Sequence, residues 1–369
     1  MSVDVARWRD LTEDERSALA ERTAVALREG GTVVLPTDTV YGLFGSAGSP
    51  QAVERLRAAA QKPDGVLTWH AGSVKAVAGV LALPTRVHRR LLARLLPGPV
   101  RFNLAQPVDV LDCWRQEAGM PAGVVEDGGR VAFRVPRHTA AQRVVSSVEQ
   151  PIAAVGVGPR GEDDAAAGAH VSIWDGPSED RRPSTTVRLE LSGAFSVEAR
   201  GAVTEADVGN ALRRKILFVC SGNTCRSPMA AALLRKQLAQ RPEDGIETEA
   251  LSAGVMAGAG LAATPEAVEA AAALGADASR HRSTPLGPSM IREAERVFGM
   301  TSAHVEAAAS IAPDAAGKIF LLDPEGDVPD PIGSPLDAYK LTAERIERAT
   351  AERLRELDAA LDAAPTAGG

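Results

Sequence analysis

Cysteine is scarce in this chain of 369 residues, which has three: Cys113, Cys220 and Cys225. So few exclude a disulfide scaffold and fit a reducing compartment, with the cytoplasm as the expected location. Aromatic residues make up only 4% of the chain, so aliphatic side chains must fill most of any core. No apolar run approaches the roughly 20 residues of a membrane span. The polar start (Asp4, Arg7, Arg9, Asp10) has no apolar leader, and no membrane partner is expected. Positive charge is also short. The net charge is −7, and residues 206–369 hold 17 Lys+Arg against 23 Asp+Glu, which argues against a general polyanion binder. One run, Arg86, Arg89, Arg90 and Arg94, has near-helical spacing. It reads as a basic stripe or, preferably, as a solvated helix face paired with nearby acids.

The length predicts two domains, each large enough for its own core. In the first part, helical spacing covers 14–30, 52–60, 87–96 and 140–148. Extended runs cover 32–35, 66–69, 130–135, 151–155 and 185–191, so a mixed α/β domain is expected. Segments 159–168 and 176–183 read as loops, 203–213 as a helical linker, and the tail after Ala363 as frayed. In the second part, strands are expected at 215–219, 247–252, 296–299 and 318–322. Helices are expected at 228–240, 265–274, 302–309 and 336–361, the last with an apolar stripe of Leu341, Ile346, Leu354, Leu357 and Leu361. This alternation predicts an α/β doubly wound parallel sheet whose first strand delivers its C-terminal loop to the ligand edge.

That loop carries the most informative residues of the chain. Between the strand Lys215–Val219 and the helical run from Pro228 lie Cys220, Ser221, Gly222, Asn223, Thr224, Cys225, Arg226 and Ser227. A loop that points its amides inward, with a helix N-terminus behind it, cradles a phosphate. The same field favours a thiolate at Cys220. Arg226 can fork two phosphoryl oxygens, Ser227 can donate to the sulfur, and Gly222 and Asn223 tolerate a left-handed backbone. Cys225 reads either as a small structural residue or as a thiol that traps an oxidised Cys220.

The Cys-x5-Arg-Ser-Pro run, Leu251–Gly254, Val297–Thr301 and Asp330-Pro331-Ile332-Gly333 together resemble the low-molecular-weight protein tyrosine phosphatase family over 214–362. The resemblance implies a cysteine-dependent phosphatase acting on phosphorylated protein through a cysteinyl-phosphate. Asp330 would be the acid and then the base, and no cofactor or metal would be required. Asp323 and Asp327 compete for the acid role; Gly333 and the helical run behind it favour Asp330. Thr224, where eukaryotic members carry a larger aliphatic residue, resembles the bacterial protein-arginine phosphatase branch. The absence of an aromatic residue after Asp-Pro until Tyr339 points the same way. Phosphoarginine is therefore expected over phosphotyrosine.

Residues 14–205 resemble the YrdC-like threonylcarbamoyl-AMP synthase family through Gly31–Gly42, Leu96–Pro99, Val131–Pro136 and Pro183–Val187. That family uses threonine, bicarbonate and ATP in tRNA modification. By this likeness Thr37, Thr39, Tyr41, Lys62, Ser184 and Thr186 are the ligand-binding candidates, with ATP or another nucleotide, or tRNA, as partner. Two departures weaken the synthase expectation. The family's Lys-x-Arg pair is here Ala60-Gln61-Lys62, and its Ser-Ala-Asn is here within Val155-Gly156-Val157-Gly158. The domain therefore reads as a synthase of reduced activity, with three alternatives: an active synthase, a nucleotide or RNA sensor tethered to the phosphatase, or a stabilising neighbour.

Overall fold

The computed structural model describes residues 5–158 and 168–363. The expected loop 159–168, apart from Gly168, and the tail after Ala363 lie outside the described residues. The chain divides into two compact units, one reaching Ala211 and the other running from Leu212 to Asp362. The expected linker 203–213 is not a separate piece. Its helix, Glu205–Ala211, belongs to the first unit, and Arg213 already opens a strand.

The first unit is built on one mixed sheet. Its strands are β1 (Val5–Arg7), β2 (Thr32–Leu35), β3 (Tyr41–Ser46), β4 (Thr68–His70), β5 (Val100–Ala105), β6 (Glu126–Asp127), β7 (Arg130–Arg134), β8 (Ile152–Gly158), β9 (Val171–Trp174), β10 (Thr185–Leu189) and β11 (Phe195–Ala199). They lie in the order β1-β9-β2-β3-β8-β4-β7-β5-β10-β11, with β6 on β7. Helix Glu13–Arg28 starts in a capping box, the Thr12 and Glu15 side chains each satisfying the other's backbone N–H. It packs with helix Thr139–Ser146 over Val33, Leu35, Phe44 and Ile152 to form a core. Helix Pro50–Ala59 starts at a Ser49 cap with proline in its first position.

Strand β3 escaped the periodicity reading because Tyr-Gly-Leu-Phe-Gly-Ser does not alternate; all six residues are buried. Gly45 is required there, since a Cβ would stand 2.9 Å from the Ala52 methyl. The strand expected at 66–69 begins only at Thr68, because Leu67 N–H donates to Val124 C=O (2.8 Å) outside the ladder. The Arg86–Arg94 run is a helix, Arg86–Leu95, but neither a basic stripe nor a wholly solvated face: Arg90 is buried, 3% exposed, like Leu91 next to it.

The second unit has four parallel strands, β12 (Arg213–Cys220), β13 (Glu247–Gly254), β14 (Arg296–Gly299) and β15 (Ile319–Leu321), in the order β13-β12-β14-β15. Strand β12 is central, and its alternation divides two cores. Ile216, Phe218 and Cys220 face helices Arg226–Ala239, Pro265–Ala273 and Leu336–Ala363. Leu217 and Val219 face helices Pro288–Glu293 and Ser302–Ile311. The chain leaves β12 toward β13 on one side and later returns to β14 on the other. The loop after β12 therefore opens at the point where the winding direction switches, which is the ligand edge of such sheets. In the last helix the apolar stripe runs through Tyr339, Ala343, Ile346, Ala349, Leu354 and Leu357. Leu341 is 67% exposed and falls off it. Its five-residue step to Ile346 overshoots the three- or four-residue spacing of one helix face.

Candidate active site

Residues 221–225 turn tightly between β12 and helix Arg226–Ala239. Asn223 holds the turn in the left-handed region, φ +54°. Three contacts fix it. Its side-chain amide donates to Ser227 Oγ (2.8 Å), its side-chain oxygen accepts from Thr284 N–H (2.8 Å), and its backbone carbonyl accepts from His281 Nε2 (2.7 Å). Gly254, at the end of β13, lets this turn approach. A Cβ there would lie 2.5 Å from Ser221 O and 2.9 Å from Asn223 N.

The loop closes around Cys220, which is 3% exposed. Asn223 N–H points at its sulfur (3.2 Å), and Ser227 Oγ lies 2.9 Å from it. Ser227 Oγ accepts from Asn223, and its own hydrogen has two acceptors within reach, the sulfur at 2.9 Å and the more distant Ala253 C=O at 3.4 Å. Arg226, 4% exposed, donates from Nη1 to Val328 C=O (3.1 Å) and from Nη2 to Asp330 Oδ2 (2.5 Å). Its Nε is buried with no hydrogen-bond partner. Of the three downstream aspartates, Asp330 is the one paired with Arg226. Asp327 accepts from Ser302 N–H and Oγ–H, which holds its carboxyl below the usual range. Asp323 is bound by Arg345 (2.6 Å) and Glu325 N–H.

His281 and His304 were not singled out in the sequence. His304 joins Ser221 Oγ (2.9 Å) to Thr301 Oγ1 (2.8 Å). Burial, reinforced by the charge of Arg226, lowers its pKa and keeps it neutral at pH 7. Nothing in the local sequence marks either histidine, because each meets the loop from a distant segment. Cys225 is buried, its sulfur 3.9 Å from the Tyr339 hydroxyl, so Tyr339 belongs to the core and not to the mouth. Thr224 is half-buried, and Ile332 is 63% exposed.

The first unit has a separate cleft of about 450 Å³. Of the expected residues, Thr37, Tyr41, Lys62, Ser184 and Thr186 line it. Thr39 does not: it is fully buried and accepts from Arg134 Nη1 (2.7 Å). Thr37 donates to Val40 C=O (2.6 Å). The Tyr41 hydroxyl donates to Gly176 C=O (2.7 Å) and accepts from Asp175 N–H (2.9 Å). Arg101, Arg134, Arg200 and His70 also line the cleft and were not foreseen. Arg134 is held by Asp38 (2.5 Å) and donates to Ser184 Oγ (2.7 Å).

His70 is enclosed in the first unit, where burial and then the charge of Arg134 push its pKa down to about 3. Its Nδ1–H donates to Thr68 C=O (3.0 Å). The folded state keeps this imidazole neutral while the unfolded chain protonates it near pH 6.5. The stability it contributes is therefore full above about pH 6.5 and is lost as pH falls toward about 3. Between pH 7 and pH 5 the expected loss from this residue is roughly 2 kcal/mol. Urea unfolding at the two pH values measures it. His70→Gln should flatten the dependence, and an equally steep loss in that variant would remove His70 as its source.

A doubly wound sheet with Cys-x5-Arg at its switch edge defines a cysteine-dependent phosphatase. Comparison with known proteins agrees. Residues 215–363 match the model for low molecular weight phosphotyrosine protein phosphatase, and residues 25–173 match the Sua5, YciO and YrdC model, described as telomere recombination. A protein-arginine-phosphatase of Bacillus subtilis (strain 168) is 42% identical over 147 residues, covering 38% of this chain and 93% of its own. The low molecular weight protein-tyrosine-phosphatase Wzb of Salmonella typhimurium is 32% identical over 148 residues, covering 39% of this chain and 95% of its own. A solved structure of the YwlE arginine phosphatase from Geobacillus stearothermophilus is 37% identical, covers 40% of this chain and 94% of that one, and has a TM-score of 0.36. The chain belongs to the low molecular weight phosphotyrosine protein phosphatase family and carries a YrdC-like domain ahead of its phosphatase domain. Among the described residues, no helix is long and apolar enough to cross a membrane.

Proposed function

We propose that the second unit hydrolyses phosphoarginine in proteins, in preference to phosphotyrosine, with Cys220 as nucleophile. The observation that carries the mechanism is the convergence on one sulfur of Asn223 N–H and Ser227 Oγ, with Arg226, buried, opening the helix that follows and joined to Asp330. In the first step Cys220 Sγ forms a bond to phosphorus as the P–N bond of the substrate breaks. Asp330 gives its proton to the departing nitrogen. Loop amides and Arg226 take up the charge on the phosphoryl oxygens, and the buried Nε of Arg226 has a donor to offer. In the second step Asp330 removes a proton from water, whose oxygen attacks phosphorus. The S–P bond breaks, and orthophosphate and the Cys220 sulfur anion are regenerated. His304 and His281 position Ser221 and Asn223 and do not touch the reacting atoms.

Three things support phosphoarginine. Thr224 offers a hydroxyl, half-buried, where an aliphatic side chain would pack on a phenyl ring. Ile332 is exposed after Asp330-Pro331 while Tyr339 is turned into the core. The relative from Bacillus subtilis is named a protein-arginine-phosphatase. The test is an assay of the whole chain on phosphoarginine and phosphotyrosine peptides side by side; dominant hydrolysis of the aromatic ester overturns the preference. Thr224→Ile should lower kcat/KM for phosphoarginine about tenfold, the size of one hydrogen bond, and leave phosphotyrosine hydrolysis equal or faster. A parallel drop on both substrates would mean that Thr224 only shapes the loop.

For the YrdC-like unit we infer a cleft that holds a phosphate-bearing ligand, ATP or another nucleotide, with synthase activity reduced or lost. Its hydroxyls and cations support binding. Support for reduced turnover comes from the wall at Val155 and Gly156, which offers no polar side chain, and from Ala60, which offers no charge. Incubation with threonine, bicarbonate and ATP separates the readings: product formation restores the synthase, and saturable binding without product supports a sensor.

A further inference from the structure

Strand β5 alternates strictly. Val100, Phe102 and Leu104 are fully buried, while Arg101 and Asn103 are half-buried on the opposite face. Parallel pairing sets Arg101 beside Thr186 of β10, and antiparallel pairing sets Thr186 beside Ala199 of β11. These three neighbours, followed in sequence by Arg200, line the cleft of the first unit, with Lys62 and Ala60 also on its wall.

The cations of this cleft differ in what holds them. Arg134 has a buried Nε without a hydrogen-bond partner, but both its terminal nitrogens are committed, to Asp38, Thr39 and Ser184. His70 is neutral, its pKa near 3. Arg101 has no such neighbour to answer its burial. Its Nε is buried with no hydrogen-bond partner. Desolvation lowers its pKa, opposed only by the charge of Glu198. Glu198 itself is engaged by Asn103 Nδ2 (2.5 Å) and Arg188. None of the described residues lining the cleft is a carboxylate, whereas Thr37, Thr68, Ser184 and Thr186 are all on its wall. A guanidinium left with a donor unmet, among hydroxyls and without a counter-ion on the wall, is suited to an acceptor-rich anion.

We propose that Arg101 is the residue that grips a polyphosphate-bearing anion in this cleft, a proposal that rests on reading the cleft as a phosphate seat. Lys62 and Arg200 add charge to the same wall. Arg101 supplies the planar fork, and Thr186, its strand neighbour, a hydroxyl at the same level.

The test is calorimetric titration of inorganic triphosphate, and separately of ATP, into the full-length chain carrying Arg226→Ala. That change removes the guanidinium of the loop around Cys220, which would otherwise bind the same probes, and any binding left at its amides is common to every variant compared. With Arg101 present, saturable binding is expected. Adding Arg101→Gln should weaken it at least tenfold with no change in the thermal melting profile, and Arg101→Lys should give an intermediate affinity. If the Gln variant binds as tightly as its parent, Arg101 is not the ligand residue and the proposal falls. If the parent binds neither probe, the reading of the cleft itself falls, and Arg101 with it. Should Arg101→Gln fail to fold, Arg101→Lys decides: it retains charge but not the fork, and unweakened binding would overturn the forked grip.

Discussion

Cys220→Ser should abolish sustained phosphate release from phosphoarginine and phosphotyrosine peptides alike. The sulfur sits at the focus of a backbone amide, a hydroxyl and the first turn of helix Arg226–Ala239. Those groups stabilise an anion at that point. A serine oxygen placed there is far harder to ionise, and once phosphorylated it is a poor leaving group. Cys220→Ala tests the same point without a replacement nucleophile and should also be inactive. Both variants should still bind phosphopeptide, because Arg226 and the loop amides remain. Malachite-green detection of released phosphate over many turnovers is the measurement. Undiminished release from either variant would assign the chemistry to another side chain, the Ser227 hydroxyl, 2.9 Å from the sulfur, being the first to test.

Asp330→Asn has the second-largest expected effect. A general acid contributes about 10²–10⁴-fold, and asparagine cannot supply the proton. Asparagine does keep an oxygen that can accept from Arg226 Nη2, the contact made at 2.5 Å by the native side chain. The geometry of Arg226, and with it substrate affinity, should therefore be largely preserved. The loss should fall on kcat and should grow as the leaving group becomes more basic. A series of aryl phosphates of rising phenol pKa reads this directly. Slowing by the same factor across the series would take Asp330 out of the proton-transfer role. Asp327 and Asp323 are poor substitutes, being bound to Ser302 and to Arg345.

The second unit was legible in the sequence because its signals are local. Strands β12, β14 and β15 read as short apolar runs, and the residues around Cys220 are contiguous between a strand and a helix. Helix Pro288–Glu293 was not seen, since six residues are too few for periodicity to register. The supports of the loop were invisible for a different reason. Gly254, His281 and His304 act through tertiary approach, and no spacing rule links them to Asn223 or Ser221.

The first unit was harder to read. Strand β5 follows Pro97-Gly98-Pro99, a turn signal that masks its start, and carries an arginine, half-buried, on the face opposite the core. Strand β3 has two glycines and no alternation. The cleft draws Arg101, Arg134 and Arg200 from three strands or strand ends far apart in the chain, so their common position belongs to the sheet order and not to any motif. Thr39 shows the converse. It stands inside the most recognisable run of the domain yet is spent on holding Arg134.

The tethering of Asn223 has a consequence for throughput. A turn clamped by Ser227, Thr284 and His281 owes its shape to the scaffold, so an arriving anion gives up no free energy to freeze it. Attraction obtained in that way is indiscriminate, since liberated orthophosphate meets the same amides as the group still joined to protein. Orthophosphate is therefore expected to compete with phosphorylated protein for the site, raising the apparent KM while leaving kcat unchanged.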